Sequence, residues 1–282
     1  VGSEMCIRDR NLTMLPKGSF ATLANGFQFH YHDGGQGDVV LFLHGSGTGA
    51  SGFTNFKKNI DFFQRNGFRT IVPDLPGYGF SDKPEDEIYT MSFFNNLLLE
   101  LLDHLNIANC SVVGNSLGGA LAMGLSLEQP KRFSKLILMA PGGLEDFNAY
   151  QEMPGIKKLL GDFLGGEMNQ EKIEGLLKLF PYDPSFVTKD IIEDRMEILP
   201  LMNQQVLASM DIPNLSEKLK NNQTPVLAFW GSNDLFIPAS GINKILHLYT
   251  NSQVVTFSNC GHWVMIEKTK EFNQYSLNFL KN

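Results

Sequence analysis

Cysteine is scarce in this chain: Cys6, Cys110 and Cys260 are an odd number, far apart, with no C-x-x-C pair and no histidine at zinc-ligand spacing. That pattern disfavours a disulfide framework and a structural metal. Long apolar runs are missing as well. None reaches the ~18 residues a membrane-spanning helix needs, and no basic stretch followed by a hydrophobic one opens the chain, so the cytoplasm is the expected compartment. Positive charge is in deficit, with 23 basic against 30 acidic side chains and a formal charge of −7. Such a balance offers no general attraction to nucleic-acid phosphates or anionic lipid, so neither nucleic acid nor membrane is an expected partner. Repeats and low-complexity tracts are also lacking. What remains is the composition of an ordinary globular protein, 43% hydrophobic and 19% charged, which excludes disordered and fibrous classes. At 282 residues it has room for two domains, or for one large α/β unit with an insertion.

Residues 1–13 show neither helical nor strand periodicity and are expected to be a non-native leader. From Gly18 onward, short β-rich runs alternate with helical ones, the sequence form of βαβ units. Runs 27–32 and 39–43 predict strands, and Gly34-Gly35-Gln36-Gly37-Asp38 between them predicts a hairpin turn. Residues 55–66 have helical spacing at Phe56, Ile60, Phe62 and Phe63, with Gly67 where a helix-ending glycine belongs. A strand at 69–73 precedes a packing helix over 91–105, whose apolar stripe runs through Phe94, Leu97, Leu98, Leu101, Leu102 and Leu105. Then come a strand at 110–113, a small-residue helix at 117–127 and a strand at 136–139. Between 144 and 220 the strands stop, and proline-broken helical patterns predict a cap inserted into a core formed by 14–143 and 221–282. Strands at 225–230 and 253–257 and helices at 241–249 and 267–280 complete the expected α/β fold, a mostly parallel central sheet with helices on both faces and an inserted helical cap.

The sharpest chemical signal is Gly114-Asn115-Ser116-Leu117-Gly118, placed between an apolar strand and a helix rich in Ala and Gly. A nucleophile on a tight strand-to-helix turn adopts strained backbone angles and needs small neighbours, which Gly114, Gly118 and Gly119 provide. The helix start after Ser116 aims free N–H groups at any oxyanion formed there. A serine also needs a base, and the base needs an acid to hold its tautomer. Asp234 and His262 each follow a predicted strand, at the edge where sites of open α/β sheets assemble, in the order Ser, Asp, His. His30, His32, His104 and His247 are expected to be surface or core residues, and His44 to make structural hydrogen bonds. Asp146 is the back-up orienting acid, and Asp74 is expected to hold a turn. The run His44-Gly45-Ser46-Gly47-Thr48-Gly49-Ala50 lacks the endings of a phosphate loop or a dinucleotide fingerprint and fits an oxyanion loop better.

In these features the chain resembles the α/β-hydrolases, and within them the meta-cleavage product hydrolases, which cut carbon–carbon bonds in ring-fission products of aromatic catabolism. The resemblance rests on residues 44–47, on Gly49-Ala50-Ser51-Gly52-Phe53 and Asn55, on 114–119, on Arg195, and on Gly261-His262-Trp263. It implies oxyanion N–H groups from Ser46 and Leu117, and a dienoate end held by Asn55, Asn115, Arg195 and Trp263, with Phe236 lining the pocket. A carboxylate beside an enol oxygen calls for a fork of donors, which one buried Arg supplies. Where the family usually has Pro the chain has Thr48, which leaves the loop less stiff. The implied activity is serine-dependent cleavage of a 2-hydroxy-6-oxo-hexa-2,4-dienoate to 2-hydroxypenta-2,4-dienoate and a carboxylic acid. No cofactor or metal is expected, the partner is a small-molecule dienoate, and a homodimer or higher homo-oligomer is implied. The competing readings are a carboxylesterase or lactonase on the same triad and, from a different class, a ligand receptor that keeps the pocket without the chemistry.

Overall fold

The apolar runs of the sequence become the inner strands of an eight-stranded sheet, ordered β1-β2-β4-β3-β5-β6-β7-β8 in the computed structural model. It describes residues 15–282 apart from 165, 167, 168, 203 and 204, so the expected leader at 1–13 lies outside the described residues. The strands are β1 (Ser19–Thr22), β2 (Gln28–Gly35), β3 (Asp38–Leu43), β4 (Phe68–Pro73), β5 (Cys110–Asn115), β6 (Phe133–Met139), β7 (Val226–Gly231) and β8 (Ser252–Phe257). β1 pairs antiparallel with β2, and β2 antiparallel with β4, while every pairing from β4 to β8 is parallel. β5 and β7 are buried at all positions, as strands covered on both faces must be.

The helices that cover the sheet bury an apolar face or, in one case, nearly their whole surface. α1 (Gly52–Phe56) and α2 (Ile60–Arg65) follow β3, α3 (Met91–His104) follows β4, and α4 (Leu117–Glu128) follows β5. α4 packs on β3, β5 and β6 and against α3, and its Gly- and Ala-rich sequence is buried from Leu117 to Ser126. Between β6 and β7 the described residues form α5 (Phe147–Gln151), α6 (Pro154–Leu164), α7 (Gln170–Leu177), α8 (Lys189–Ile198) and α9 (Gln205–Ser209), with no strand. α10 (Ser240–Leu248), α11 (Val264–Glu267) and α12 (Thr269–Lys281) complete the chain. No helix among the described residues is long and apolar enough to cross a membrane.

Two local expectations are corrected. The glycine run 34–38 does not join a hairpin, because β4 lies between β2 and β3 and pairs with both. The run arches over the start of β4, so closely that a Cβ on Gly35 would lie 2.2 Å from the Phe68 carbonyl oxygen. A turn signal encodes reversal of the chain, whereas β4, buried at every position but Arg69, takes an interior place that satisfies both its edges. The helix predicted over 55–66 is two helices broken at 57–59. Asn59 at the break is buried and donates to the Met265 carbonyl (3.1 Å) and to Asn273 (2.9 Å), fastening it to α11 and α12.

Candidate active site

Ser116 leaves β5 with φ +54° and ψ −113°, a strained conformation for a residue with a side chain. The strain is held from both sides. The Ser116 N–H donates to Met139 O (3.0 Å), and its carbonyl accepts from Ala120 (3.1 Å) and Gly142 (2.9 Å). The turn is also tight: a Cβ on Gly118 would stand 2.0 Å from Leu43 O, and one on Gly114 2.4 Å from Gly118 O. Small flanking residues are thus a steric requirement. Within the buried stretch 110–126 only Ser116 is partly exposed, and within 40–52 only Ser46 is. The two lie on adjacent segments, since a Cβ on Gly45 would be 3.2 Å from Ser116 Cβ. Among the described residues neither the Ser46 N–H nor the Leu117 N–H has an acceptor. Two free backbone donors beside a candidate nucleophile are what an oxyanion requires.

Asp234 and His262 are brought together by the loops leaving β7 and β8. The Asn233 N–H donates to Cys260 O (2.9 Å), and a Cβ on Gly231 would lie 2.1 Å from Gly261 O. His262 Nδ1 donates to Asp234 Oδ2 at 2.7 Å, both side chains being 2% exposed. The other carboxylate oxygen, Oδ1, accepts the N–H groups of Phe236 (2.7 Å) and Ile237 (3.0 Å). An ionised carboxylate can only accept, so this pairing leaves His262 Nε2 as the basic nitrogen. The Ser116 hydroxyl has no hydrogen-bond partner among the described residues. Bonds of this kind commonly tighten only around substrate. Asp146, the back-up acid, is exposed and accepts from Asn214 Nδ2 (2.9 Å), away from His262.

Around His262 the chain builds an aromatic stack that joins the insert to the sheet. Phe180 lies parallel between Phe236 (4.1 Å) and Trp263 (4.6 Å), and Arg195 Cζ sits 5.4 Å from the Trp263 ring. Phe236 and Phe180 stand 5.3 and 5.8 Å from the His262 ring, and the Phe180 carbonyl accepts the His262 N–H at 2.7 Å. Phe180 also approaches the glycine loop, 3.8 Å from a Cβ built on Gly47. It was not singled out in the sequence, where a phenylalanine in a helical stretch carries no mark of partners 56 and 83 residues away. Glu267 was likewise missed: its carboxylate accepts the N–H groups of Gly261 (2.8 Å) and Tyr182 (2.9 Å), tying the His262 loop to the Phe180 segment.

The residues expected at the dienoate end are all buried. Asn115 sits beside the nucleophile, donating to Met139 O at 3.3 Å. Asn55 Nδ2 and Arg195 Nε are enclosed without a hydrogen-bond partner among the described residues. Burial lowers the Arg195 pKa to about 10, so it stays a cation at neutral pH. α8, which carries it, rests on the glycine loop: a Cβ on Gly49 would be 2.4 Å from Arg195 O. His44 is structural. Its Nε2 accepts from Leu75 N–H (2.9 Å) and its Nδ1 donates to Gly45 O (2.8 Å), and burial lowers its pKa to about 4. Asp74 holds its turn, accepting from Gly52, Phe80 and His30.

A strained strand-to-helix serine, a His–Asp pair at later strand ends and free N–H donors opposite define the architecture of an α/β-hydrolase. A family model described as the alpha/beta hydrolase fold matches residues 38–171. The chain is 33% identical over 268 residues to a 2-hydroxy-6-oxo-6-phenylhexa-2,4-dienoate hydrolase of Burkholderia cepacia, covering 92% of this chain and 93% of that one. It is equally identical to a 2-hydroxy-6-oxononadienedioate/2-hydroxy-6-oxononatrienedioate hydrolase of Comamonas testosteroni, with the same coverage. Among solved structures it superposes on a meta-cleavage product hydrolase from Pseudomonas fluorescens IP01 with a TM-score of 0.81 at 27% identity, covering 94% of this chain and 98% of that one. The chain belongs to the α/β-hydrolase family and, within it, to the meta-cleavage product hydrolases.

Proposed function

We propose that this enzyme uses Ser116, His262 and Asp234 to cleave the carbon–carbon bond of a 2-hydroxy-6-oxo-hexa-2,4-dienoate type of ring-fission product, releasing 2-hydroxypenta-2,4-dienoate and a carboxylic acid. It acts in the cytoplasm as a homodimer or higher homo-oligomer, with residues 144–220 as a cap over the core. The observation that carries the reading is Arg195, a buried cation with no hydrogen-bonding partner among the described residues, set against the aromatic stack that touches His262. A buried unpaired guanidinium is costly unless an anion completes it. The dienoate carboxylate supplies that anion, and Asn55, Asn115 and Trp263 bind around it, while Phe236 lines the pocket.

The chemistry follows from the donors and acceptors present. His262 Nε2 moves a proton from the 2-hydroxyl to C5, making the keto form in which the C5–C6 bond can break. It then takes the Ser116 proton as the hydroxyl attacks the C6 ketone, and the oxyanion rests on the Ser46 and Leu117 N–H groups. Collapse breaks the C5–C6 bond, leaves an acyl-Ser116 and expels the dienolate, stabilised by conjugation and by Arg195, whose 2-oxygen takes the proton back from His262 to give 2-hydroxypenta-2,4-dienoate. Water, deprotonated by the neutral His262, then attacks the acyl carbon, and His262 returns that proton to Ser116 Oγ as the carboxylic acid leaves.

The test compares two substrates in one variant. Arg195→Gln should lose about thirty- to a thousandfold in kcat/KM on a dienoate made in situ from catechol, 3-methylcatechol or 2,3-dihydroxybiphenyl, the worth of two charge-assisted hydrogen bonds. Hydrolysis of a neutral p-nitrophenyl ester should change less than about threefold, whereas Ser116→Ala should abolish both. Equal losses in Arg195→Gln, or none on the dienoate, would leave an esterase as the better reading.

A further inference from the structure

Arg195 has an acidic neighbour that ought to compete for it. Asp194 precedes it directly in α8, and both are buried. Asp194, however, is already engaged. Lys57, at the C-terminal end of α1 and two residues beyond Asn55, places Nζ 2.5 Å from Asp194 Oδ2 and 2.6 Å from Asp190 Oδ2, one helical turn earlier. Lys57 is 20% exposed and Asp194 7%, so this pair is screened far less than one on the surface. Burial works against the Lys57 charge, yet its bonds to Asp190 and Asp194 outweigh burial and raise its pKa.

We infer that Lys57 is a positioning residue for substrate specificity: by holding the Asp194 carboxylate it leaves the Arg195 guanidinium uncommitted for an anionic substrate group. The charge arithmetic supports this. Lys57, Asp190, Asp194 and Arg195 sum to zero, so a substrate carboxylate meets an unspent Arg195. Without Lys57 the sum is −1, and the Asp194 charge falls on Arg195, whose own charge it already favours. The arriving carboxylate then competes with a fixed one and is repelled by it. The same clamp joins the helix carrying Asn55 to the helix carrying Arg195, both of which have a buried side-chain donor with no partner among the described residues. The inference rests on the proposed role of Arg195 toward a dienoate carboxylate.

Steady-state kinetics on the dienoate and on a p-nitrophenyl ester test it. Lys57→Met should raise KM for the dienoate about tenfold, with kcat and ester hydrolysis within about threefold of wild type. Lys57→Arg, which keeps the charge, should stay within about threefold on both substrates. Asp194→Asn keeps the shape of the competitor and removes its charge, so dienoate KM should hold or fall. Adding Lys57→Met in that background should then cost less than about threefold. Equal losses on both substrates in Lys57→Met, an undiminished cost in the Asp194→Asn background, or a KM increase of more than threefold in Asp194→Asn alone would overturn the inference. If Arg195→Gln discriminates between the substrates and Lys57→Met does not, only this inference falls. If Arg195→Gln fails to discriminate, the dienoate reading falls and takes the inference with it.

Discussion

Asp234 is the acid that bonds to His262, and its three contacts divide the work: Oδ2 fixes the imidazole, while Oδ1 takes the Phe236 and Ile237 N–H groups that hold the carboxylate itself in place. Replacing it by Asn puts an amide against Nδ1 and disfavours the tautomer that leaves Nε2 basic. Asp234→Asn should therefore reduce kcat on the order of a thousandfold or more, while Asp146→Asn, altering an exposed carboxylate bonded to Asn214, stays within about threefold. Single-turnover kinetics on matched folded samples checks the ranking, and the reverse order would move the acid to the loop after β6. Both aspartates were visible as candidates because each follows a strand end. Chain order already ranks Asp234 ahead of Asp146, but the contact with His262 itself depends on how the β7 and β8 loops meet.

α4 depends on how closely its first turn meets the exit of β3. A methyl at Gly118 would press on Leu43 O at 2.0 Å and His44 O at 2.8 Å, both of them backbone atoms that cannot swing away. Gly118→Ala should destabilise by at least about 1–3 kcal/mol, the usual range for overpacking, and abolish turnover because the Leu117 N–H proposed to bind the oxyanion is displaced with it. Gly161 in α6 is the counterpart. A Cβ there meets nothing within 4 Å, so Gly161→Ala should be neutral or stabilise by up to about 1 kcal/mol through helix propensity. Urea midpoints at constant m-value compare the two, and the same sign for both would refute the steric account. The sequence showed that small residues were needed around Ser116. The atoms that forbid a larger residue at Gly118 lie at the exit of β3, more than seventy residues earlier.

Across the whole molecule, the fully buried His44 predicts how stability responds to acid. Burial lowers His44 from its ordinary 6.5 to about 4, so between those values the unfolded chain binds a proton that the folded one refuses. Stability is full above pH 6.5 and falls as pH drops toward 4, by about 1.4 kcal/mol per pH unit and roughly 3 kcal/mol in all. Burial lowers His32 as well and adds in the same direction, while Glu267, raised by burial, works the opposite way above its ordinary value. Denaturation at pH 7.5 and pH 5 should show the loss, and His44→Gln should flatten most of the slope. A variant with the wild-type slope would assign the acid response elsewhere.

The α/β alternation, the helical character of the segment between β6 and β7, and the serine turn with Asp234 and His262 placed to follow it are all legible in the residues alone. Each of these is written locally, in apolar period, turn glycines and the residues just past a strand. The tertiary structure alone decided that β4 lies between β2 and β3, that Phe180 stacks between Phe236 and Trp263, and that Lys57 reaches Asp194 across 137 residues of chain. Strand order, ring stacking and charge pairing depend on which surfaces come together when the sheet is covered on both faces. No periodicity within a segment records its partner in another.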